Sequence, residues 1–304
     1  MADTFVFTGA TSGFGAAALK QIGSATDHAL IVGARDVDRV EQEFGSRVRA
    51  IPLDLSSLES VCDFCAALGD TEIHLLAMNA GMQTRTLAKT ADGFETTFQT
   101  NYLSHFLMFD LLKDQLAPNA LIVTTGSGTH DPEEKTPVPA PKHANIDWLA
   151  YPEKDPDPDR LTPVRLGRAY STSKLLCILQ AKEIAARYPR LRSASFDPGY
   201  LPDTNLAREY PKLLASIIKR IIPYTMKNDR TGSVATTAPE YARVLQGDLR
   251  PNDNGGYVVM RSGRAISAPP SELARQKGLS EKVWEDSIDL LLAANGQPSI
   301  IADA

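Results

Sequence analysis

The amino-terminal segment of the chain places the strongest constraint on its fold. Residues 4–8 form a short apolar run typical of a buried strand, residues 9–15 form a glycine-rich turn, and residues 16–22 follow a helical pattern. A helix that follows such a turn offers free N–H groups to a phosphate, and glycine lets the backbone approach it closely. The segment therefore predicts a phosphate-binding βαβ unit, although its spacing, G-x-x-x-G-x-G, differs from the common G-x-G-x-x-G pattern.

Strand-like and helix-like segments alternate along the rest of the 304-residue chain. The later apolar runs predict strands at residues 29–33, 49–53, 73–77, 120–125, 192–196 and 257–260. Strands that alternate with helices form a parallel sheet covered on both faces. We therefore predict an α/β fold with a single Rossmann-type domain, residues 1–304, around a doubly wound, mainly parallel, seven-stranded sheet with helices on both faces.

Two segments depart from this alternation. Residues from about 131 to 168 are rich in proline and charge, and we predict that they form an insertion that is either functional or partly mobile. Residues from about 201 to 228 contain apolar residues at helical spacing, interrupted by basic residues. We interpret this segment as a substrate lid that faces Trp148 of the insertion, with a membrane-surface helix and plain packing as the alternatives.

Composition argues against several classes of protein. The net charge of -5 disfavours a nucleic-acid partner, which requires a basic face. No apolar run approaches the roughly 20 residues of a membrane span, and the chain starts directly in a predicted strand, which leaves no room for a signal peptide. The three cysteines provide no disulfide framework, so we expect a cytoplasmic protein. Cys62 and Cys65 form a C-x-x-C pair that we interpret as two helix residues, and we predict no metal site.

Small and polar residues follow the predicted strands at their carboxyl ends, where a doubly wound sheet binds its ligand. Arg35, after the second strand, suits the additional phosphate of NADP, whereas Asp36 keeps NAD open. Asp54, after the third strand, contacts the adenine or only caps the next helix. Residues 79–81 form a small-residue turn after the fourth strand, and Ser127 follows the fifth strand. These positions predict a dinucleotide site that prefers NADP.

Tyr170 and Lys174 stand four residues apart at the head of an apolar helix, and therefore on the same helix face. A free tyrosine titrates near ~10, and a nearby ammonium lowers this pKa because it favours the phenolate. The pair is thus a candidate general acid and base for a hydroxyl proton. Asn101 lies within a long helical stretch predicted from residue 93 to 116, which indicates either a local irregularity or a polar task.

These elements follow one another in an order that is known from a protein family. The matching motifs are residues 8–15, Asn79-Ala80-Gly81, Asn101, Ser127, Tyr170-x-x-x-Lys174 and Pro198-Gly199. On these motifs the chain resembles the short-chain dehydrogenase/reductase superfamily over nearly its whole length. Within the superfamily it resembles most the retinol dehydrogenase and protochlorophyllide reductase branch, on residues 91–95, 100–106 and 206–209 and on the long gap between Ser127 and Tyr170. Two positions depart from the family pattern. Met78 stands where many members have asparagine, and Asp203, with Thr204 beside it, stands where they have threonine.

The resemblance implies a role for each candidate catalytic residue. Ser127 would hold the substrate oxygen, and Tyr170 would take or give its proton. Lys174 would lower the pKa of Tyr170 and bind the nicotinamide ribose, while Asn101 would fix a water molecule that relays protons. The residue pattern and the resemblance together give the predicted cofactor contacts: Gly9, Thr11, Ser12, Gly13, Phe14, Gly15, Arg35, Asp54, Leu55, Asn79, Ala80, Gly81, Tyr170, Lys174, Pro198, Gly199 and Thr204.

We therefore expect an NADP-dependent oxidoreductase that transfers a hydride between the nicotinamide and an alcohol or carbonyl of an apolar small molecule. A reductase of a C=C bond in a ring system, as in protochlorophyllide reductase, is the first alternative. A dinucleotide-binding sensor without turnover is the second, although a sensor would need only the glycine turn. The sequence leaves a homo-oligomer open, and it does not identify the substrate.

Overall fold

The strands of the protein form one sheet at its centre. The computed structural model describes residues 2–202 and 228–295. The strands are β1 (Thr4–Thr8), β2 (Ala29–Ala34), β3 (Val48–Pro52), β4 (Ile73–Met78), β5 (Leu116–Thr125), β6 (Arg192–Asp197), β7 (Gly256–Arg261) and β8 (Arg264–Ala268). They lie in the order β3-β2-β1-β4-β5-β6-β7-β8, and every neighbouring pair is parallel except β7 and β8. The predicted doubly wound, mainly parallel sheet is therefore confirmed.

Helices connect the strands and cover both faces of the sheet. They are α1 (Gly13–Ala25), α2 (Val37–Phe44), α3 (Leu58–Leu68), α4 (Thr96–Phe98), α5 (Ser104–Leu112), α6 (Ile146–Ala150), α7 (Thr162–Arg187), α8 (Val234–Leu245), α9 (Glu272–Arg275) and α10 (Leu279–Asn295). Residues of α3, α5, α7 and α10 form the core on one face, and residues of α1, α2 and α8 form it on the other. None of the helices within the described residues is both long and apolar enough to cross a membrane.

The sheet has eight strands, one more than the sequence predicted. The additional strand, β8, pairs antiparallel with β7 through a hairpin in which Arg261 faces Arg264. The two turn residues, Ser262 and Gly263, both have positive φ, 47° and 76°. A Ser-Gly dipeptide between two strands is a hairpin signal, because glycine adopts positive φ without strain. The prediction missed it because residues 264–268 carry few large apolar residues.

Two helices differ from their predicted extents. The stretch predicted as one helix from residue 93 to 116 is divided into α4, a π-helical turn at Gln99–Leu103 and α5. Asn101 lies in this π turn, which is the local irregularity that its position indicated. Helix α7 begins at Thr162, before the predicted start near Arg168, because Pro163 is tolerated in the first turn of a helix. The end of the predicted insertion is therefore helical.

The rest of the insertion packs onto the main domain. It contains the short turns Pro132–Glu134 and Pro152–Lys154 and the helix α6, and buried side chains of α6 belong to the core beside α10. Most of the predicted lid, residues 203–227, lies outside the described residues, and so does Thr204.

We expect Gly33→Ala to lower the free energy of unfolding by about 1–3 kcal/mol. A Cβ at this position in β2 would overlap Leu53 and lie 2.9 Å from Cε2 of Phe64, and both of these side chains are buried. Urea denaturation measures the loss. Gly23→Ala in α1 is the control, because its Cβ would meet no atom closer than 3.2 Å. Equal losses in the two variants would contradict the overpacking argument.

Candidate active site

The predicted site residues gather along the carboxyl edge of the parallel strands. The strand order reverses between β1 and β4, which pair with each other while β2 and β5 lie outside them. In a doubly wound sheet the ligand crevice opens at such a reversal. The glycine turn after β1 and the residues 79–81 after β4 therefore line the two sides of this crevice.

The glycine turn lies too close to the end of β4 to accommodate side chains. Gly9 has a φ of 68°, and a Cβ on it would stand 2.5 Å from the backbone nitrogen of Ala80. A Cβ on Gly15 would overlap the carbonyl oxygen of Gly9 and stand 2.5 Å from Nδ2 of Asn79. Gly13 also has a left-handed φ, 63°. These glycines are therefore required by close backbone approach, which is the property that a pyrophosphate cradle needs.

The first turn of α1 is free to bind an anion. Its N-cap residue, Ser12, makes no side-chain capping bond, and the turn contains no acidic residue. Free N–H groups and the helix dipole favour a phosphate at this position. Thr11 and Ser12 are partly exposed there, whereas the ring of Phe14 packs 5.2 Å from that of Tyr241, so Phe14 can offer only its backbone to a ligand. The residues present fit the phosphates of a dinucleotide.

Asn79 and Thr8 tie the glycine turn to the neighbouring strand ends. Asn79 donates from Nδ2 to the carbonyl oxygen of Gly9 at 2.8 Å and accepts from the hydroxyl of Thr125 at 2.9 Å. The hydroxyl oxygen of Thr8 accepts from the backbone N–H groups of Asn79 and Ala80 at 3.0 and 3.1 Å. The predicted cofactor residue Asn79 therefore supports the turn, and its own side chain is already occupied.

The two charged residues after β2 have different environments. The carboxylate of Asp36 accepts from the N–H of Arg39 at 3.0 Å and so caps α2. Arg35 is exposed and forms no ion pair with any of the described residues. The guanidinium of Arg35 is therefore available to an anion, while Asp36 is engaged.

Asp54 and Leu55 follow β3 as predicted. Asp54 accepts from both the backbone and the hydroxyl of Ser56, at 2.9 and 2.7 Å, and the helix α3 is capped by Ser57. Asp54 thus shapes the turn rather than capping the helix, and its second carboxylate oxygen makes no bond within the described residues. The carbonyl of Leu55 accepts from the hydroxyl of Ser104, which fixes this turn to α5.

Tyr170 is buried on α7, and the side chain of Ser127 is its polar neighbour. Burial raises the pKa of Tyr170 above its ordinary value, the neighbouring Ser127 hydroxyl lowers it, and the negative charge of Asp197 raises it further. The ammonium of Lys174 lies 5.8 Å from the centre of the Tyr170 ring. The resemblance implied that Lys174 lowers this pKa, but burial, the largest contribution, raises it, so the hydroxyl is protonated at neutral pH.

Lys174 is 4% exposed and lacks a carboxylate partner among the described residues. Its ammonium donates to the carbonyl oxygen of Thr125 at 2.9 Å, and burial lowers its pKa. A Cβ on Gly81 would stand 3.1 Å from this nitrogen, so a side chain at this position would crowd the ammonium. An ammonium has three donors. The donors that remain fit the hydroxyl groups of a ribose.

Asn101 joins the turn after β4 to the helix α7. Its side-chain oxygen accepts from the N–H of Met82 at 2.7 Å, and its Nδ2 donates to the carbonyl oxygen of Met82 and to Oγ of Ser173, both at 2.9 Å. The π turn releases its carbonyl, which lies 3.2 Å from Nδ1 of His105 and accepts from Cys177 at 3.4 Å. Each of its polar side-chain atoms has a protein partner, so Asn101 holds two elements of the site together.

His105 extends this bonding to the first strand, and sequence reasoning did not single it out. Because Thr8 accepts two N–H bonds, its own proton goes to Nε2 of His105, at 2.9 Å, and Nδ1–H donates to the carbonyl of Asn101. Both ring nitrogens are used in the neutral form. Burial lowers the pKa of His105 from 6.5 to about 4. A histidine within an apolar helical run was the available signal.

His130 has a similar role behind Ser127. Its Nδ1–H donates to the carbonyl oxygen of Ser127 at 2.6 Å, and its Nε2 accepts from the backbone of Ser271 at 3.0 Å. Burial lowers the pKa of His130, so the neutral ring required by these two bonds is favoured. The sequence gave no indication that this histidine fixes the Ser127 turn to the residues before α9.

Pro198 and Gly199 follow β6 at the same edge of the sheet. Gly199 has a φ of 73°, and a Cβ on it would stand 2.6 Å from the carbonyl oxygen of Arg230. Its N–H donates to Asp197 at 2.9 Å. The C-x-x-C pair lies elsewhere: Cys65 is buried and Cys62 half-buried on α3, both as free thiols, and burial raises the pKa of Cys65 to about 12.

The fold and these side chains define a class of protein. A glycine turn lies at the switch point of a doubly wound sheet, and Ser127, Tyr170 and Lys174 converge beside it. This is the arrangement of a dinucleotide-binding oxidoreductase.

Comparison with known proteins identifies the family. Residues 3–146 match the short chain dehydrogenase family. A protein of Streptomyces sp. (strain C5) named "Putative daunorubicin C-13 ketoreductase" is 30% identical over 297 residues, which cover 93% of this chain and 91% of that protein. The chloroplastic protochlorophyllide reductase of Chlamydomonas reinhardtii is 28% identical over 312 residues, 95% of this chain and 78% of the reductase. The chain therefore belongs to the short-chain dehydrogenase/reductase family and is an NAD(P)-dependent enzyme.

A solved structure agrees on the fold. A crystal structure from Burkholderia multivorans with bound NADP superimposes with a TM-score of 0.53 and covers 88% of this chain and 99% of that chain. The sequence identity is 18%, so this likeness concerns the fold alone.

We expect the unfolding free energy to fall by up to about 3 kcal/mol between pH 6.5 and pH 4 because of His105. The lowered folded pKa, about 4, means that only the unfolded chain binds a proton in this window, so acid favours unfolding. His105→Gln should remove this part of the pH dependence in denaturation curves, whereas His28→Gln, at a partly exposed position, should leave it unchanged. Parallel curves for the parent and His105→Gln would contradict the argument.

Proposed function

We propose that the protein is an NADP-dependent oxidoreductase that interconverts an alcohol and a carbonyl on an apolar small molecule, with Tyr170 as the general acid and base. The observation that carries the proposal is the buried ammonium of Lys174, which has one hydrogen-bond acceptor among the described residues and lies beside a protonated Tyr170. An ammonium that is buried without a counterion is costly unless a ligand completes its bonds. The similarity to a protein named as a ketoreductase supports the same reaction class.

The side chains have distinct tasks in this reaction. When bound, the nicotinamide supplies or accepts the hydride. Ser127 holds the substrate oxygen beside the Tyr170 hydroxyl, whose pKa it lowers. Because its raised pKa keeps Tyr170 protonated at neutral pH, this hydroxyl donates its proton to the oxygen of a carbonyl substrate. Oxidation of an alcohol requires the ionised tyrosine, so it is favoured as the pH rises.

NADP is the proposed cofactor, through Arg35. This arginine is exposed and unpaired among the described residues, whereas Asp36 is engaged as a helix cap. A carboxylate at the end of the second strand would bind the ribose of NAD, so the engagement of Asp36 supports NADP. The Burkholderia multivorans structure carries NADP on a similar fold.

A reductase of a ring C=C bond is the second candidate, supported by the similarity to protochlorophyllide reductase. A screen that follows NADPH absorbance with apolar ketones, alcohols and cyclic alkenes separates the two. Turnover of the ketones and alcohols is expected. Turnover of the cyclic alkenes alone would favour the second candidate.

The single-domain organisation, the lid at residues 201–228 and the apolar wall at Trp148 remain part of this proposal. So does the cytoplasmic location, which the free thiols of the three cysteines support, since a reducing compartment keeps them unpaired. No further macromolecular partner is proposed.

Tyr170→Phe is expected to lower kcat by about 10²-fold or more, because it removes only the proton-transferring oxygen. Cofactor affinity should remain within about twofold. Initial-rate kinetics and NADPH fluorescence titration measure the two quantities. Tyr102→Phe is the control, since Tyr102 is a buried tyrosine whose hydroxyl bonds Ser287 away from the site. Retention of more than about a tenth of kcat, a barrier change under about 1.4 kcal/mol, would count against the assignment.

Arg35→Ala is expected to weaken NADPH binding by about 1.5–3 kcal/mol and to leave NADH binding unchanged, because a charge-assisted bond to the extra phosphate is lost. Calorimetric titration with both cofactors measures this difference. Arg243→Ala, an arginine on α8 that pairs with Glu240, provides the control. Equal affinities of the parent protein for NADPH and NADH would refute the cofactor preference.

A further inference from the structure

A buried cluster of charged side chains lies directly behind the Ser127 turn, and the proposed mechanism does not use it. Arg230 is 3% exposed and Asp197 is 1% exposed. Glu134 of the insertion and Arg261 of β7 complete the cluster, with Nη2 of Arg261 2.6 Å from Oε1 of Glu134. Charges this deeply buried are retained only where each one has partners.

Arg230 and Asp197 form the centre of this cluster. Arg230 donates from Nη2 to Oδ2 of Asp197 at 2.6 Å, and the hydroxyl of Tyr257 donates to the same oxygen at 2.5 Å. The other carboxylate oxygen accepts from the N–H of Gly199. Nε of Arg230 lies 3.3 Å from Oε2 of Glu134, close enough for attraction but without hydrogen-bond geometry. Burial opposes the charge of Arg230, but these neighbours outweigh it and raise its pKa.

The guanidinium also fills the space beside Gly128, the residue that follows Ser127. A Cβ on Gly128 would overlap Nη2 of Arg230 and lie 2.9 Å from Cζ. Gly128 has no left-handed φ, so its lack of a side chain is explained by this contact. The guanidinium is therefore packed against the backbone of the turn that carries Ser127.

We propose that Arg230 is a positioning residue: held by Asp197, its guanidinium fixes the Ser127 turn against the end of β6 and so sets the position of the Ser127 hydroxyl relative to Tyr170. The expected effect on catalysis rests on the proposed function, whereas the effect of Arg230 on the position of Ser127 does not. His130 holds the other side of the same turn through the carbonyl of Ser127.

The charges of Asp197 and Arg230 also bear on the pKa of Tyr170. The groups that act on Tyr170 are Ser127, which lowers its pKa, and Asp197 and Cys177, which raise it, with the Lys174 ammonium near the ring. Arg230 is the direct ion-pair partner of Asp197. If the guanidinium moves away, the charge of Asp197 is less compensated and acts more strongly against the phenolate.

The test is a double-mutant cycle on the full chain between Gly128→Ala and Arg230→Lys. Lysine keeps the positive charge, but its ammonium nitrogen reaches only to about where Cζ of Arg230 lies. It therefore relieves most of the overlap with an alanine at position 128. Gly128→Ala alone is expected to lower kcat tenfold or more, leave NADPH affinity within twofold, and move the midpoint of the pH profile for alcohol oxidation upward. In the Arg230→Lys background, the same substitution should change kcat less than threefold.

Asp197→Asn provides the charge control. It should move the pH midpoint downward, because it removes a negative charge that disfavours the Tyr170 phenolate. Asp110→Asn is the matched variant, since Asp110 is also a buried carboxylate with a cationic partner, Lys113, but on α5. It should move neither kcat nor the midpoint. Equal effects of Gly128→Ala in both backgrounds, or an unmoved midpoint in Asp197→Asn, would overturn the inference.

Crystal structures of Gly128→Ala and the double variant give a readout that does not need turnover. Ser127 should be displaced in the first and restored in the second. If Ser127 stays in place while Arg230 moves, the inference is wrong, whatever the kinetics. If Ser127 moves as expected but Tyr170→Phe retains activity, the proposed function fails and the positioning role stands. Should Gly128→Ala not fold, Arg230→Ala, which removes the side chain that packs on the turn, must displace Ser127, and an unmoved serine would refute the proposal.

Discussion

The arrangement of the site depends on the hydrogen bonds that the Thr8 hydroxyl makes. Its oxygen accepts the N–H groups of Asn79 and Ala80, and its proton goes to His105, so its hydrogen-bonding capacity is fully used. The turn after β1 therefore has one position relative to β4. Gly9 has to be a glycine because that position leaves no space for a Cβ. The shape of the glycine turn is thus a consequence of how two strand ends are joined.

The same bonding reaches α7. His105 bonds both Thr8 and the carbonyl of Asn101, and the side chain of Asn101 bonds Met82 and, on α7, Ser173. Tyr170 and Lys174 lie on that helix in an environment where burial raises the first pKa and lowers the second. Both shifts disfavour the charged form of the group. The resting site is therefore biased towards an uncharged tyrosine that can donate a proton, which fits reduction of a carbonyl better than oxidation near neutral pH.

The sequence predicted what depends on local pattern. The glycine turn, the parallel sheet and the shared face of Tyr170 and Lys174 follow from periodicity and spacing, and the polar position of Asn101 correctly indicated an irregular helix. The eighth strand was missed because its short hairpin offers little apolar alternation. His105, His130 and Arg230 were missed because their partners are 97, 141 and 33 residues away in the chain. The direction of the Tyr170 pKa shift was also mispredicted. Burial causes this shift and depends on how the whole chain packs, whereas the prediction considered only the residues on one helix face.

Arginine suits the position of residue 230 for a geometric reason. The carbonyl of Arg230 accepts from the N–H of Tyr200, shortly after β6, at 2.9 Å. The side chain of the same residue binds Asp197 and packs on Gly128. One residue thus joins the end of β6 and the Ser127 turn. A guanidinium can meet these neighbours in fixed directions because it is planar and presents several donors, whereas an ammonium is a point charge on a flexible stem. The Ser127 turn and the strand end that carries Pro198 and Gly199 therefore both contact one cation.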